Sequence, residues 1–537
     1  GVGAFSVELQ ETIRAEATLR SVLASAALLL VLFVVFRNLR MLFVSALPLL
    51  TGLLAGLTTV ALLFDTVHGI TLAFGFTLLG VAIDYPLHLF SHARHDSGLS
   101  AIRRIWPTMR LGAASTVVAY LALVVSNSTG LAQLGIFTAV GVIVASLATR
   151  TWLPWLYEDK TPTASGAAPA SPPRLSFVLA FVVLLGGALA AWASFDAGPW
   201  DDNLSSLSPV ATERLQTDQL LRSAAVTADM RYQLTLHAES LEQLLRDSEA
   251  LDAVLADAAA KNLLGGWQSV TQVLPSARTQ EVRRARIPAR GVLATNIEAA
   301  IDGTPFRADA FDAFLEAAAA ARTGPVLTAA DIEGSPLGSW LDAHLLQLDD
   351  RWVALTALVK PQPEALAGLI ADAGLDAGLV DFQEASLSLV RDYRSTATRT
   401  ILVAALLIVA ILWWVRGDPA QTAWVALTVA ASLTVTVAII GVVHGALTVI
   451  HMVALLLVLG LGLDYALFLS RSEAAAERKA TDIGVLACAA STTIAFMILA
   501  ASSIPVLKFL GLTIAAGSAV SFAVAWAGSR RYSREIS

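Results

Sequence analysis

The stretch LLGVAIDYPLHLFSH, Leu78 to His92, decides the fold, because it sets a carboxylate inside an apolar run long enough to cross a bilayer. A second stretch, LVLGLGLDYALFLSRS from Leu457 to Ser472, repeats it. Each holds an Asp-Tyr pair, Asp84-Tyr85 and Asp464-Tyr465, with a glycine one helical turn earlier at Gly80 and Gly460. A mid-membrane Asp costs roughly 2.5 to 3.5 kcal/mol on insertion scales, so such residues face a bundle interior and have a task or a partner. Moving one proton through about 100 mV is worth about 2.3 kcal/mol, the same order as that penalty, so protonation is able to decide between two helix arrangements.

Outward from these two stretches the chain is mostly apolar. Its 537 residues are 56% hydrophobic and 15% charged, which places it with integral membrane proteins. Runs near the roughly 20 residues that a bilayer requires lie at Ser21–Phe36, Met41–Phe64, His68–Phe90, Arg110–Ser126, Leu134–Leu156 and Leu175–Phe195. Five more follow at Ala397–Val415, Ala423–Val443, Leu447–Leu469, Ile483–Ala501 and Val506–Ala527. The net charge of -7 leaves no basic stripe for nucleic acid. The single cysteine, Cys488, excludes an intrachain disulfide and any cysteine-based metal site. No P-loop, HExxH, GxSxG or metal-spaced Cys/His cluster occurs, so no cofactor or metal is expected and any work done draws on an ion gradient.

The halves repeat. GVAIDYPLHL matches GLGLDYALFL, AASTVVAYLAL (Ala113–Leu123) matches AASTTIAFMIL (Ala489–Leu499), and LAQLGIFTAVG (Leu131–Gly141) matches LKFLGLTIAAG (Leu507–Gly517). Three blocks in one order with nearly constant offset indicate a parallel duplication about an axis along the membrane normal. Lys and Arg crowd alternate short loops: Arg37 and Arg40; Arg94 to Arg110; Arg150, Lys160 and Arg174; Arg416; Arg471, Arg478 and Lys479; and Arg530 to Arg534. Lys508 is the exception. Both Asp-bearing spans then run in the same direction, with these loops cytoplasmic.

The expected fold class is a polytopic α-helical membrane protein with two parallel repeats, eleven spans visible and twelve in full length, and an α+β soluble domain. The expected division runs as follows: 1–20, the end of a first soluble domain; 21–157, a five-span bundle; 158–173, a cytoplasmic Pro/Ala/Ser/Thr linker; 174–195, the first span of the second half; 196–395, a periplasmic α+β domain; 396–528, five more spans; and 529–537, a cytoplasmic tail. The second unit has a span and a soluble domain that the first lacks, so a first span and domain are expected upstream. Within 196–395, Arg231–Ala238 alternates like a half-buried strand, and Ser240 with Gln243 has capping-box spacing ahead of a helix to about Ala260. Arg351–Val359 reads as a second strand, then a helix after Pro363 and a short strand near Gly378–Phe382.

For Asp84 and Asp464 the alternatives are a proton site and a hydrogen-bonded carboxyl that glues two helices. Tyr85 and Tyr465 point about 100° from their neighbouring Asp, toward the other half's Asp or into plain interfacial packing. Ser115, Thr116, Ser491 and Thr492 sit mid-span in the next helix of each half, set to support the carboxylates across the interface or to back-bond to their own helix. Pro86 stands where the second half has Ala466, which invites a kink and makes the sites unequal. His88, one turn beyond Asp84, is a relay candidate or an interfacial histidine. Gly80, Gly460, Gly462, Gly135 and Gly511 allow close helix approach or reflect how common glycine is in spans. Trp152, Trp155, Trp413 and Trp414 read as aromatic-belt residues.

This layout, with GxxxDY in two parallel half-repeats, resembles the resistance-nodulation-division (RND) superfamily. More narrowly, it looks like the branch that includes the mycobacterial large membrane proteins (MMPL), the hopanoid transporters and the predicted exporters found with aryl-polyene pigment genes. The drug-efflux branch has two consecutive Asp in one half and a Lys in the other, and this sequence has neither. WDDNLSSLSP (Trp200–Pro209) looks like the family's path into its soluble domain. The resemblance implies that Asp84, Tyr85, Asp464 and Tyr465 form a proton relay in the bundle core. It also implies a porter-like soluble module that takes amphipathic or lipid substrates from the outer leaflet. The expectation is a non-enzymatic, proton-driven antiporter of a bacterial inner membrane. Its partners are membrane lipids, a lipid-like substrate and protons, with no nucleic acid; an oligomer and a periplasmic partner stay open. The alternatives are a non-transporting sensor or scaffold similar to sterol-sensing members, and a proton-driven protein-translocation factor.

Overall fold

The computed structural model describes residues 2–37, 39–68, 71, 80, 82–93, 97–125, 129–156, 174–195, 198–208, 210, 214, 216–218, 220–221, 229–348, 350–471 and 475–534. The expected linker at 158–173 and residues 69–70, 72–79 and 81 of the expected third span, with them Leu78 and Leu79 at the start of the Asp84 motif, lie outside these residues.

In chain order the helices that matter here are α1 (Val2–Phe36), α2 (Leu39–Leu63), α3 (Asp84–Ala93), α4 (Gly98–Leu121), α5 (Thr129–Thr151), α6 (Arg174–Ala193), α7 (Leu241–Ala260), α8 (Pro363–Asp372), α9 (Phe382–Arg416), α10 (Pro419–His444), α11 (Val449–Leu469), α12 (Ala475–Ala500) and α13 (Pro505–Arg534). The chain divides into two compact units, one of Gly1–Ala211 with Leu387–Ser537 and one of Thr212–Ser386.

Among the described residues of the whole chain, nine helices are long and apolar enough to cross a membrane, and Phe177–Ala193 is a shorter apolar helix. The protein is therefore a multi-pass membrane protein. Local chemistry sets the helix ends. Ser97 opens α4 by accepting from the Ser100 N–H at 3.2 Å, so the helix starts well before the expected Arg110. Asp418 caps α10 through the N–H groups of Ala420 and Gln421, ahead of Pro419 at the first helical position. Gly445, at φ +74°, ends α10 in the left-handed conformation that glycine adopts freely.

Packing within this unit uses small residues, as it must where lipid tails are as apolar as the side chains. On α2, Gly52 and Gly56 ride against α5: a Cβ there would lie 2.6 Å from the Gly141 carbonyl oxygen and 2.5 Å from that of Phe137. The duplication is visible in the same way. A Cβ at Gly135 would meet the Tyr120 carbonyl oxygen at 2.5 Å, and one at the equivalent Gly511 would meet that of Phe496 at 2.7 Å. α11 is the central helix, buried at every residue from His451 to Leu469, which fits a sequence apolar on all sides. Trp152, Trp155, Trp413 and Trp414 are exposed at helix ends.

The second unit is an antiparallel sheet covered by helices. Strand β1 (Asp229–Ala238) pairs with β4 (Arg351–Val359) on one side and β5 (Ala377–Asp381) on the other. β2 (Gly266–Gln268) and β3 (Leu345–Leu348) share the far edge of β4. Leu234 and Leu236 of β1 pack with Leu244, Leu251 and Leu255 of α7 and with Leu366 and Ile370 of α8. Ser240 caps α7 by accepting from Gln243 N–H at 3.3 Å, but the reciprocal half of the box is absent because the Gln243 amide donates to Asp247 at 2.8 Å. The unit is narrower than the expected 196–395, since residues before 212 and after 386 group with the membrane unit.

Candidate functional site

Both carboxylates are buried inside the membrane unit, Asp84 with 3% and Asp464 with 6% of its surface exposed. They arrive there on different backbones. α11 carries Asp464 toward its C-terminal end without interruption. In the first half Ile83 forms a turn and α3 starts at Asp84, with Pro86 in its first turn. Pro86 has no N–H and so deprives the Ala82 carbonyl of its helical donor, while the Leu87 N–H still reaches Ile83 O at 3.2 Å. Asp84 thus stands where a helix N-terminus presents its positive end.

The helix after each Asp helix crosses over to serve the other half: α4 packs on α11, and α12 packs on α3. Gly112 of α4 lies so close to Asp464 that any Cβ would collide with Oδ1. The repeat places Cys488 of α12 at the equivalent position, and its Sγ lies 3.9 Å from the Asp84 carbonyl oxygen and 3.7 Å from His88 Nε2. Thr492 Oγ1 donates to the Gly80 carbonyl at 3.4 Å. Its counterpart Thr116 comes within 3.3 Å of where a Cβ of Gly460 would stand. Equivalent residues thus meet in both halves with the partners exchanged, as a parallel duplication requires, although the atoms in contact differ.

The hydroxyls do not reach the carboxylates. Ser115 donates to Gly112 O at 2.7 Å and Ser491 to Cys488 O at 2.9 Å, both back-bonds within their own helix. Thr116 Oγ1 is buried with no hydrogen-bond partner among the described residues. Tyr465 Oη lies 3.1 Å from Ser518 Oγ on α13, whereas the hydroxyl of Tyr85 is buried without a partner among the described residues. The first-half equivalent of Ser518 is Val142, which offers no hydroxyl. Neither oxygen of Asp84 has an N–H or O–H partner among the described residues, the Cys488 thiol being its one side-chain contact of that kind, and Oδ1 of Asp464 has no hydrogen-bond partner among them. Buried polar atoms left unpaired in this way call for an explanation, and exchange of a proton supplies one.

His88 stacks on Phe468, the residue at its own repeat position, with ring centroids 3.7 Å apart and planes 7° from parallel. This contact joins the two Asp helices. Among the described residues no group of three or more His, Cys, Asp or Glu could hold a metal ion. Sequence reasoning did not single out Gly112, Ser518, His92 or Thr481; laying the repeat blocks beside each other points to the first two. Residues Trp200 to Asn203 dock elsewhere in the unit. Trp200 pairs with Leu447, its ring lies 5.0 Å from the Arg394 guanidinium, and Asp202 accepts from Arg394.

Known proteins resemble this chain in sequence or in fold. The MMPL family model matches residues 1–168. None of the curated proteins matches the chain. A crystal structure of SecDF in a super-membrane-facing form superposes with a TM-score of 0.50 at 16% identity, covering 97% of this chain and 63% of that one. SecDF from Thermus thermophilus, a translocon-associated membrane protein, gives 0.51 at 14% identity, with 97% and 62% covered. The hedgehog release protein Disp from the water bear Hypsibius dujardini gives 0.51 at 12% identity, with 97% and 70% covered. The chain therefore spans less than two thirds of the SecDF chains it matches, and at these identities the likeness is one of fold. The MMPL family model thus covers residues 1–168, and the chain as a whole is a multi-pass membrane protein that shares its fold with SecDF and Disp.

Proposed function

We propose that the protein is a proton-driven transporter, not an enzyme, that moves a lipid-like or hydrophobic substrate across or out of a bacterial inner membrane, with Asp84 and Asp464 as its proton sites. One observation carries this reading: two carboxylates at equivalent repeat positions are buried in the bundle with oxygens that no described N–H or O–H satisfies. Carboxyls serving only as glue would bond a neighbouring helix, and nearby Ser115, Ser491 and Thr492 bond backbone instead. Tyr85 and Tyr465 follow the two carboxyls in sequence, Thr492 and Thr116 pack one turn before them at Gly80 and Gly460, and on this reading the Arg-rich loops lie on the cytoplasmic face. An apolar crevice lined by Leu123, Leu131, Tyr393, Ile401, Met452 and Leu456 suits an acyl or aromatic chain. On this reading the second unit is periplasmic and receives the substrate. Export measured with and without an uncoupler tests it. Transport that persists after the proton gradient collapses contradicts the reading.

A second reading has its own support in the SecDF fold, because that protein is described as translocon-associated. Here the same carboxylates would drive movement of a protein segment. A secretion defect without any change in membrane lipids favours this reading over lipid export.

A further inference from the structure

The two carboxylates hold equivalent positions, but only one continues into a polar stripe. Asp84, His88 and His92 are spaced four residues apart and so share one face of α3. All three are buried. Cys488 of α12 touches both the Asp84 carbonyl and His88 Nε2, bridging the first turn of the stripe. His88 Nδ1 is buried with no hydrogen-bond partner among the described residues. One turn on, His92 Nδ1 lies 2.9 Å from the His88 carbonyl oxygen and 3.3 Å from Ser91 Oγ, and His92 Nε2 lies 2.9 Å from Thr481 Oγ1 on α12. α12 makes room for this chain of groups at Gly484, where a Cβ would stand 2.5 Å from Ser91 Oγ and 3.4 Å from His88 Nδ1.

In the second half the position of His88 is taken by Phe468, which stacks on the imidazole. A phenyl ring neither takes nor gives a proton, so the stripe from Asp464 stops after one turn.

We propose that protons pass between Asp84 and the membrane face bearing the Arg-rich loops along His88 and His92, while Phe468 closes the equivalent route from Asp464. Water is the carrier between one side chain and the next; each imidazole takes a proton from it on the bare nitrogen and returns the one on its other nitrogen to it, so charge is conserved at every step and the rings reset by exchanging tautomers. The two carboxylates are then loaded from different places. This rests on the proton-driven reading above and adds a direction to it.

The test uses the intact chain in a surface-tethered bilayer, held through its second unit so that the Arg-rich loops face the buffer, or through its C-terminus for the opposite orientation. Infrared absorption of the protonated carboxyl is followed after a pH jump, with the Asp84 band identified by its loss in Asp84→Asn. His88→Phe, which copies the second-half residue and keeps the stack, is expected to slow the Asp84 response from the Arg-loop face by about tenfold or more. His92→Gln, which keeps a polar contact for Thr481, is expected to do the same, and Phe468→His to speed the Asp464 response from that face. Asp84 responses in both histidine variants within about twofold of wild type would overturn the route and leave the proton function standing. Carboxyl bands that respond to pH from neither face would overturn both.

Discussion

The two halves of the membrane unit place the same Asp-Tyr pair in the same helix and then surround it differently. Asp84 begins a helix after a break at Ile83, faces Cys488, and is followed by His88. Asp464 lies within an unbroken helix, faces Gly112, and is followed by Phe468. Tyr465 has Ser518 to bond, and Tyr85 has no partner among the described residues. Duplication supplied the frame, and a few substitutions in the neighbouring helices made the two carboxylates chemically distinct. Sites that differ in this way are able to hold different protonation states at one pH, which a device cycling between two arrangements needs.

The strongest way to break the comparison is to remove each carboxylate in turn. Asp84→Asn and Asp464→Asn are each expected to lower proton-coupled export by about a hundredfold or more while the protein still inserts, as a cell-based export assay beside a membrane-fraction blot would measure. If one variant exports normally, the halves do not share the work. Next in size is the contrast between Gly112 and Cys488. Gly112→Ala forces a methyl into the Asp464 carboxylate and is expected to destabilise the bundle by about 1 to 3 kcal/mol. Cys488→Ala, which fills a similar space with a smaller group, is expected to cost less than about 1.5 kcal/mol. Thermal unfolding in detergent compares the two, and equal shifts would erase the distinction.

A smaller exchange sharpens the tyrosine difference. Ser518→Ala removes the partner of Tyr465 and is expected to cost about 0.5 to 1.5 kcal/mol, and Val142→Ser is designed to give Tyr85 the hydroxyl it lacks. The tyrosine ultraviolet resonance Raman signal would move in opposite senses in the two variants. The smallest effect lies in the second unit and separates its pH response from that of the bundle. There the Arg231 guanidinium, 3.0 Å from Asp381, holds that carboxyl below its ordinary value. A depressed folded-state value means that the pair stabilises above the unfolded carboxylate range and that this is lost as pH falls through the depressed value. Both side chains are partly exposed, so Asp381→Asn is expected to change stability by about 0.2 to 1 kcal/mol near neutrality and to flatten the acid limb of hydrogen-exchange protection in β1 and β5.

Nine of the eleven expected spans match helices long and apolar enough to cross a bilayer among the described residues, legible because a bilayer demands a fixed length of apolar sequence, and the repeat was legible because three blocks kept their order. β1, α7, β4 and α8 were readable from alternation, the Ser240 cap and Pro363. The short helices between Ala277 and His344, and the short strands β2 and β3, were not, since strands of three or four residues carry too little periodicity. At the site, Asp84, Asp464 and their tyrosines stood out by being polar in an apolar run. The partners of those residues did not. Gly112 and Cys488 are ordinary residues in a membrane span, and only the crossing of α4 onto α11 and α12 onto α3 gives them a role. The serines looked like carboxylate partners by position, but their short side chains find a carbonyl within their own helix first.

The central claim is that both buried carboxyls take up and release protons. Difference infrared spectroscopy of the reconstituted protein across a pH series tests it most directly. The expected result is two carboxyl bands that come and go with pH, one absent in Asp84→Asn and the other in Asp464→Asn. Bands that stay constant across the series, or that survive both substitutions, would contradict the account.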